Sequence, residues 1–452
     1  MKQLTIKHPW SMTFKGKPSL EILNLEKSSK IGLLPSSIPF FKPRLLVKEG
    51  DLVKIGTPIF KDKKTESIQF CSPAAGRVSE INYGERRAIE SVVIDVSETE
   101  EKEVFTQFSK EALDSVDRAS LVSHLLKMGL WPMLKSFPFY EIANPELTPP
   151  SIFISLDDDE PHKPSSEVLL KDRVDQLHYG LAILKKLCPT VKVSASDQNP
   201  LVKTELKSVV THLVSGVYPA NSPGAVLYHQ KKDASENSAW FIGLQNLLQM
   251  AEALQSGSHP THMISVLSGE KVDKPQHIVI RRGASLQEVL NERASMDNAR
   301  VIAGGLFTGR STNNSSYLGY YEDAIQVIRE KDESEFMAFL KLGLEKVTYS
   351  RAYLYSFFKR HEEVTQSAAL NGSLRSCIAC GKCEEVCPVD IPQQILFKTI
   401  QSDDIETAMT QGLLDCSGCN LCTYVCPSKI ELSTIVSDAK AALHKELHTT
   451  HD

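Results

Sequence analysis

Eight of the ten cysteines fall in two short runs near the end of the 452-residue chain, and their spacing is the feature best suited to chemistry. The first run is Cys377-Ile-Ala-Cys380-Gly-Lys-Cys383-Glu-Glu-Val-Cys387-Pro388; the second is Cys416-Ser-Gly-Cys419-Asn-Leu-Cys422-Thr-Tyr-Val-Cys426-Pro427. Each follows C-x2-C-x2-C-x3-C-P, the spacing that holds [4Fe-4S] clusters in two-cluster electron carriers. Three closely spaced thiolates on a tight loop reach three irons of one cubane, while the fourth, entering a helix, points away to the other cluster. The expected ligand sets are therefore Cys377, Cys380, Cys383 and Cys426 for one cluster and Cys416, Cys419, Cys422 and Cys387 for the other. Gly381 and Gly418 let the backbone close around the sulfides, and Pro388 and Pro427 redirect the chain without needing a donor. Structural zinc is the competing chemistry, but four ligands per ion would leave the third evenly spaced Cys and the Cys-Pro step unexplained. No H-E-x-x-H, nucleophile elbow or phosphate loop is present, so no catalytic residue is identified.

The elements that must position these loops read as a multidomain α+β chain. Residues 1–100 have a period-2 pattern of short strands, with Leu46, Val53, Ile55 and Ile59 expected inward and Gly50 and Gly56 at turns. The scheme VKEGDLVKIG followed by SPAAGRV resembles the barrel-sandwich hammerhead of lipoyl and biotinyl domains, with Lys63 near the modified tip but read as a solvated lysine. An acidic run from Glu98 is expected to be a solvated linker. Residues 101–255 form a Rossmann-like α/β unit, with a strand, helix, strand succession from Ser151. It lacks G-x-G-x-x-G, and the Asp157-Asp158-Asp159-Glu160 run reads as a solvated loop. Residues 256–330 suggest a β-grasp-like module, with HIVIRRG and RVIAGG as strands, SLQEVLNERA as a helix and Gly304, Gly305 and Gly309 in a turn. Residues 331–452 read as a helical domain carrying the cysteines, from the spacing of Phe336, Phe339, Leu340 and Leu344, of Ile391, Ile395, Leu396 and Ile400, and of Ile405, Met409 and Leu413.

Bulk properties narrow the function. A net charge of -5 excludes the broad basic field of a nucleic-acid binder. The N-terminus does not read as a signal peptide, and the best apolar stretch, 240–254, is broken by Gln and Asn, so no membrane-spanning helix is expected. Cys71 and Cys188 stand alone and are expected to be reduced, structural thiols.

With the order of modules in place, the chain resembles the family shared by the A subunit of the Na+-translocating NADH:quinone reductase and the C subunit of the Rnf complex. The likeness rests on GDLVKIGTPIFKDKK, SPAAGRV, GLWPMLKSFPF, PPSIFIS and LVSGVYPANSPG, and covers nearly the whole length. Members of the quinone reductase branch generally keep only remnants of the cysteine motif, whereas both runs are intact here. The glycine-rich flavin and NADH loop of the related proteins has become GLWPMLK, with Trp131 and Met133 where backbone must approach a flavin, so FMN and NADH are not expected on this chain. The resemblance implies a peripheral subunit on the cytoplasmic face of the bacterial inner membrane, working with other subunits that oxidise NADH, reduce quinone and export Na+, with a quinone contact associated with this branch of the family. Two alternatives remain: an Rnf-type subunit linking ferredoxin and NAD, and a non-redox docking scaffold with structural cysteines.

Overall fold

A computed structural model describes residues 1–6, 13–331, 358, 363–369 and 372–449. The expected helical pattern through Phe336, Phe339, Leu340 and Leu344 lies outside the described residues.

Two small sheets face each other in the N-terminal part. One orders Lys30–Leu33, Ile89–Val96, Gly76–Tyr83 and Leu52–Val53; the other orders Pro43–Leu45, Pro58–Asp62 and Gln69–Cys71. Val53, Ile55 and Ile59 are buried, as their alternation predicts, and Gly50 and Gly56 turn the chain at φ +91°. Leu46 instead lies exposed, because the pleat there turns Val47 inward. The first strands also leave this unit. Lys2–Thr5 pairs in parallel with His212–Ser215, and Ser19–Leu25 pairs in parallel with Gln276–Arg281, so each completes the edge of a later sheet. The acidic run is no free linker: Glu100 forms a two-oxygen pair with Arg281 at 2.7 and 2.6 Å and accepts from the Ala75 amide at 3.0 Å. Glu101 pairs with Lys54 at 2.8 Å, so the run ties the N-terminal sheets to the later module that carries Arg281.

The α/β unit is built on a seven-stranded sheet whose centre is parallel, Ile152–Ser155 lying between Val191–Ser196 and Trp240–Gly243. Ile152, Phe153 and Ile154 are all buried, because both faces of such a strand are covered. The helices Val174–Leu187 and Leu244–Ser256 pack on each other, and Gly180 lets them approach: a Cβ there would meet Leu247 at 2.7 Å. The next module is a six-stranded mixed sheet closed by Ala324–Arg329 and Ala299–Ala303. Its helix, expected over SLQEVLNERA, spans only Leu286–Leu290, since Glu292 takes a left-handed φ of +57° that ends it.

The segment GLWPMLK is core, with Trp131 fully buried, edge-on to Trp240 and donating its indole N–H to the Ala143 carbonyl at 2.7 Å. Gly129 opens it at φ +67°, where a Cβ would sit 2.6 Å from the Cys71 sulfur. Cys71 is buried, which pushes its thiol up to about 12 and leaves it a packing group; Cys188 is likewise buried. Gly129→Ala is expected to destabilise the protein by about 1–3 kcal/mol through its left-handed backbone and this collision. Adding Cys71→Ala should restore part of the loss in the thermal midpoint, whereas an unaltered midpoint in the single variant would contradict the tight contact.

Candidate iron-sulfur site and the adjoining cavity

The two cysteine runs adopt one backbone scheme twice. Each is a loop leading into a single helical turn, Lys382–Glu385 in the first and Leu421–Tyr424 in the second. Left-handed φ values recur at matched positions: Ala379 with Gly418, Gly381 with Asn420, and Asp390 with Lys429. Each run therefore spends a glycine at only one of its first two left-handed positions. At Gly381 and Gly418 a Cβ would meet nothing within 4 Å, so these glycines serve the turn and not a close contact.

Folding brings the cysteines together across the two runs. Cys377, Cys380, Cys383 and Cys426 line one small void. Cys387, Cys416, Cys419 and Cys422 line part of a much larger cavity. Burial pushes the Cys383 thiol up to about 11, with Cys380 and Cys426 adding to the effect. Burial likewise raises Cys419 to about 12, with Cys416 and Cys387 contributing, and carries Cys422 well above the usual thiol range. Such thiols become ligands only when a cation displaces their protons.

The donor set suits a cluster. A mononuclear zinc with Zn–S bonds of about 2.3 Å would draw its sulfurs to about 3.8 Å from one another. Each set instead takes its fourth thiol from the other run, the exchange that two-cluster carriers use and that a one-ion site does not require. The amides of Cys380, Gly381, Gly418, Cys419 and Asn420 meet no backbone acceptor among the described residues, leaving donors where sulfides would lie.

The second loop is held from several sides, mostly through its carbonyls. Tyr140 donates to the Ser417 carbonyl at 3.1 Å and Tyr218 to the Cys419 carbonyl at 3.0 Å. Lys440 donates to the Cys416 carbonyl at 3.2 Å and the Asn420 side-chain amide to the Phe307 carbonyl at 2.6 Å, while His229 holds the end of the first run through the Pro388 carbonyl at 2.7 Å. The first loop is tied mainly to the second, by the Arg375 amide to the Ser428 carbonyl and the Ser428 hydroxyl to the Ser376 carbonyl, both 2.9 Å. Cys380 is exposed, and Ile378 and Leu374 beside it show 68% and 70% of their surface. One set thus faces outward and the other inward.

The inner set opens on a cavity of about 790 Å³ between the α/β unit, the six-stranded module and the cysteine domain. The acidic run expected to be a solvated loop forms part of its wall. Glu160 is buried and accepts from the amides of Phe307 and Thr308 and from the Thr308 hydroxyl. Gly305 makes that turn possible, since a Cβ there would lie 2.0 Å from the Glu160 carboxylate. Asp158 leaves 51% of its side chain open to the cavity, 3.8 Å from Lys163, which also pairs with Asp323. Burial pushes Asp159 up to about 7 and lowers Lys135 to about 8, the latter with its ammonium 3.5 Å above the Tyr321 ring. Spacing singled out every cysteine of the site but neither Tyr140, Tyr218 and Lys440 nor the burial of the acidic run. Tyr218 lies in the LVSGVYPANSPG landmark, which was the one available signal.

Four family descriptions match the chain in order: an NqrA N-terminal barrel-sandwich hybrid domain over residues 4–97, an NqrA second alpha/beta domain over 116–259, an NQRA C-terminal domain over 263–314 and a 4Fe-4S dicluster domain over 376–430. The A subunit of a Na(+)-translocating NADH-quinone reductase from Saccharophagus degradans is 32% identical over 413 residues, covering 90% of this chain and 92% of that protein. The protein of the same name from Marinomonas sp. is 31% identical over 402 residues, covering 89% and 90%.

The Asp159 carboxyl, flanked in the chain by the lining residues Asp158 and Glu160, supplies a test of the acidic run's electrostatics. Its pKa, raised from 3.8 to about 7, means that the folded protein keeps a proton that the unfolded chain releases, so stability falls as pH rises between those values. Asp159→Asn can still accept from the Asn221 amide, and should remove that slope and exceed the wild type by about 2 kcal/mol above pH 7. Thermal midpoints at pH 5 and pH 8 read this out, and parallel pH dependences in the two proteins would contradict it.

Proposed function

Because the chain belongs to the family of the Na(+)-translocating NADH-quinone reductase A subunit, we propose that it is the peripheral electron-transfer subunit of such a complex, on the cytoplasmic face of the membrane. Its partners are the other subunits, which oxidise NADH, reduce quinone and export Na+, and the chain is not active alone. Among the described residues no helix is long and apolar enough to cross a membrane.

The observation that carries the redox reading is the crossed gathering of the cysteines. Cys377, Cys380, Cys383 and Cys426 hold one [4Fe-4S] cluster and Cys416, Cys419, Cys422 and Cys387 the other. A cluster of this kind, when bound, takes up and returns one electron at a time. The thiolates would fix the irons, the loop amides that meet no backbone acceptor among the described residues could donate to the sulfides, and Lys440 would offset negative charge at the inner set. Leu374 and Ile378 offer an apolar surface at the outer set for a protein partner. The inner set faces the cavity, to which we assign the quinone contact. The rings of Phe139, Tyr140 and Tyr218 supply apolar walls, and the Lys135 ammonium is a polar group suited to a quinone carbonyl. The scaffold alternative leaves the gathering of four cysteines at each of two sites, and the doubled spacing of both runs, without a role.

Anaerobically reconstituted full chain should hold about eight irons and eight sulfides. Cys380→Ser and Cys426→Ser are expected to remove one and the same cluster signal, and Cys419→Ser and Cys387→Ser the other. Unchanged iron and sulfide in all four variants would overturn the redox reading, and Cys426→Ser tracking Cys419→Ser would overturn the crossing.

A further inference from the structure

A second group of ligating side chains stands apart from the cysteines. Glu141, on the short strand Glu141–Ile142, meets His444 and His448 of the C-terminal helix Leu432–Thr449. One ligand atom from each lies within 4.8 Å of the other two. The histidines are four residues apart, so they rise from one helix face, one turn after the other. The Glu141 Oε2 to His444 Nε2 distance is 2.9 Å, and these side chains are only 29% and 11% exposed.

The surroundings fix the His444 ring. Phe40 stacks on it at 4.0 Å and Phe139 meets it edge-on at 4.9 Å. Phe40 and Tyr140, the latter preceding Glu141, hold left-handed φ values of +57° and +61°, conformations that L side chains keep only when neighbours impose them. The His448 ring follows edge-on to His444 at 4.2 Å.

We propose that Glu141, His444 and His448 bind one zinc ion that fastens the C-terminal helix to the α/β unit. Two imidazoles and a carboxylate are a donor set suited to this borderline cation, with water in the fourth position. Bonds of about 2.0–2.1 Å in tetrahedral geometry place ligand atoms about 3.3 Å apart. The Glu141 to His444 pair is already that close, so side-chain rotation of His448 completes the site. Ligation uses an ionised carboxylate and an unprotonated nitrogen of each imidazole, so zinc binding releases whatever protons those atoms hold. One turn before His444 on the same helix, Lys440 holds the Cys416 carbonyl, so the ion would steady the helix that anchors the inner cysteine loop.

The test uses untagged full chain with its iron sites filled anaerobically, loaded with Zn2+ alone and exchanged against a weak chelator. Zinc and iron are then measured by plasma mass spectrometry. Wild type should retain about one zinc more than His448→Ala, and Glu141→Gln, which preserves the side-chain shape, should lower zinc affinity at least tenfold with iron unchanged. Amide exchange in residues 440–449 should slow on zinc addition in wild type only. Equal zinc in wild type and His448→Ala overturns the proposal, whether both hold none or both hold zinc displaced onto cysteines.

Discussion

Each cysteine run places its last thiol beside the first three of the other, and much of the C-terminal architecture answers to that juxtaposition. Cys387 can reach the second loop, and Cys426 the first, only if the two loops lie back to back with their helical turns side by side. The doubled set of left-handed residues, with Gly381 answering Asn420 and Gly418 answering Ala379, builds the same loop twice so that this is met symmetrically. The environments then diverge. One loop is tied chiefly to its twin and reaches solvent at Cys380, while the other is gripped through its carbonyls by Tyr140, Tyr218 and Lys440. Holding carbonyls while leaving several loop amides without a backbone acceptor among the described residues suits a site that must present donors to negative charge.

The inner loop shares its cavity with charges that would be costly in isolation. Lys163 is shared between Asp158 and Asp323 and offsets one of their two negative charges, and Glu160 is satisfied by three donors from one turn. Asp159 has only Asn221 for support and therefore keeps a proton near neutrality. Lys135, lowered to about 8 by burial, lines the same cavity as Cys416 and Cys419 and can release a proton near neutrality, which matches what quinone chemistry asks of its surroundings.

The sequence revealed local chemistry better than long-range packing. Cysteine spacing is a local code, since a loop that must wrap a cubane tolerates few alternatives, and the positions it singled out come together as the crossed rule implies. The strand, helix, strand succession from Ser151 was similarly legible, because Ile152, Phe153 and Ile154 read as a strand covered on both faces. Leu46 escaped because one residue of register separates the two faces of a strand. The acidic residues at 157–160 read as solvated because composition does not show the Phe307 to Thr308 turn arriving from far along the chain. The strands Lys2–Thr5 and Ser19–Leu25 were assigned to the nearest module in sequence, whereas open sheet edges elsewhere claimed them. Tyr140 and Tyr218 act on a loop some two hundred residues or more away, a relation that no local pattern records.

The central claim is that two cluster sites lie beside each other through exchanged thiols. Electron paramagnetic resonance of the anaerobically reduced full chain tests it most directly. Two clusters so placed should give a spectrum broadened and split by magnetic interaction, collapsing to a simple, uncoupled signal when Cys380→Ser removes one of them. A spectrum in wild type that is silent, or that shows a single uncoupled signal at full reduction, would contradict the account.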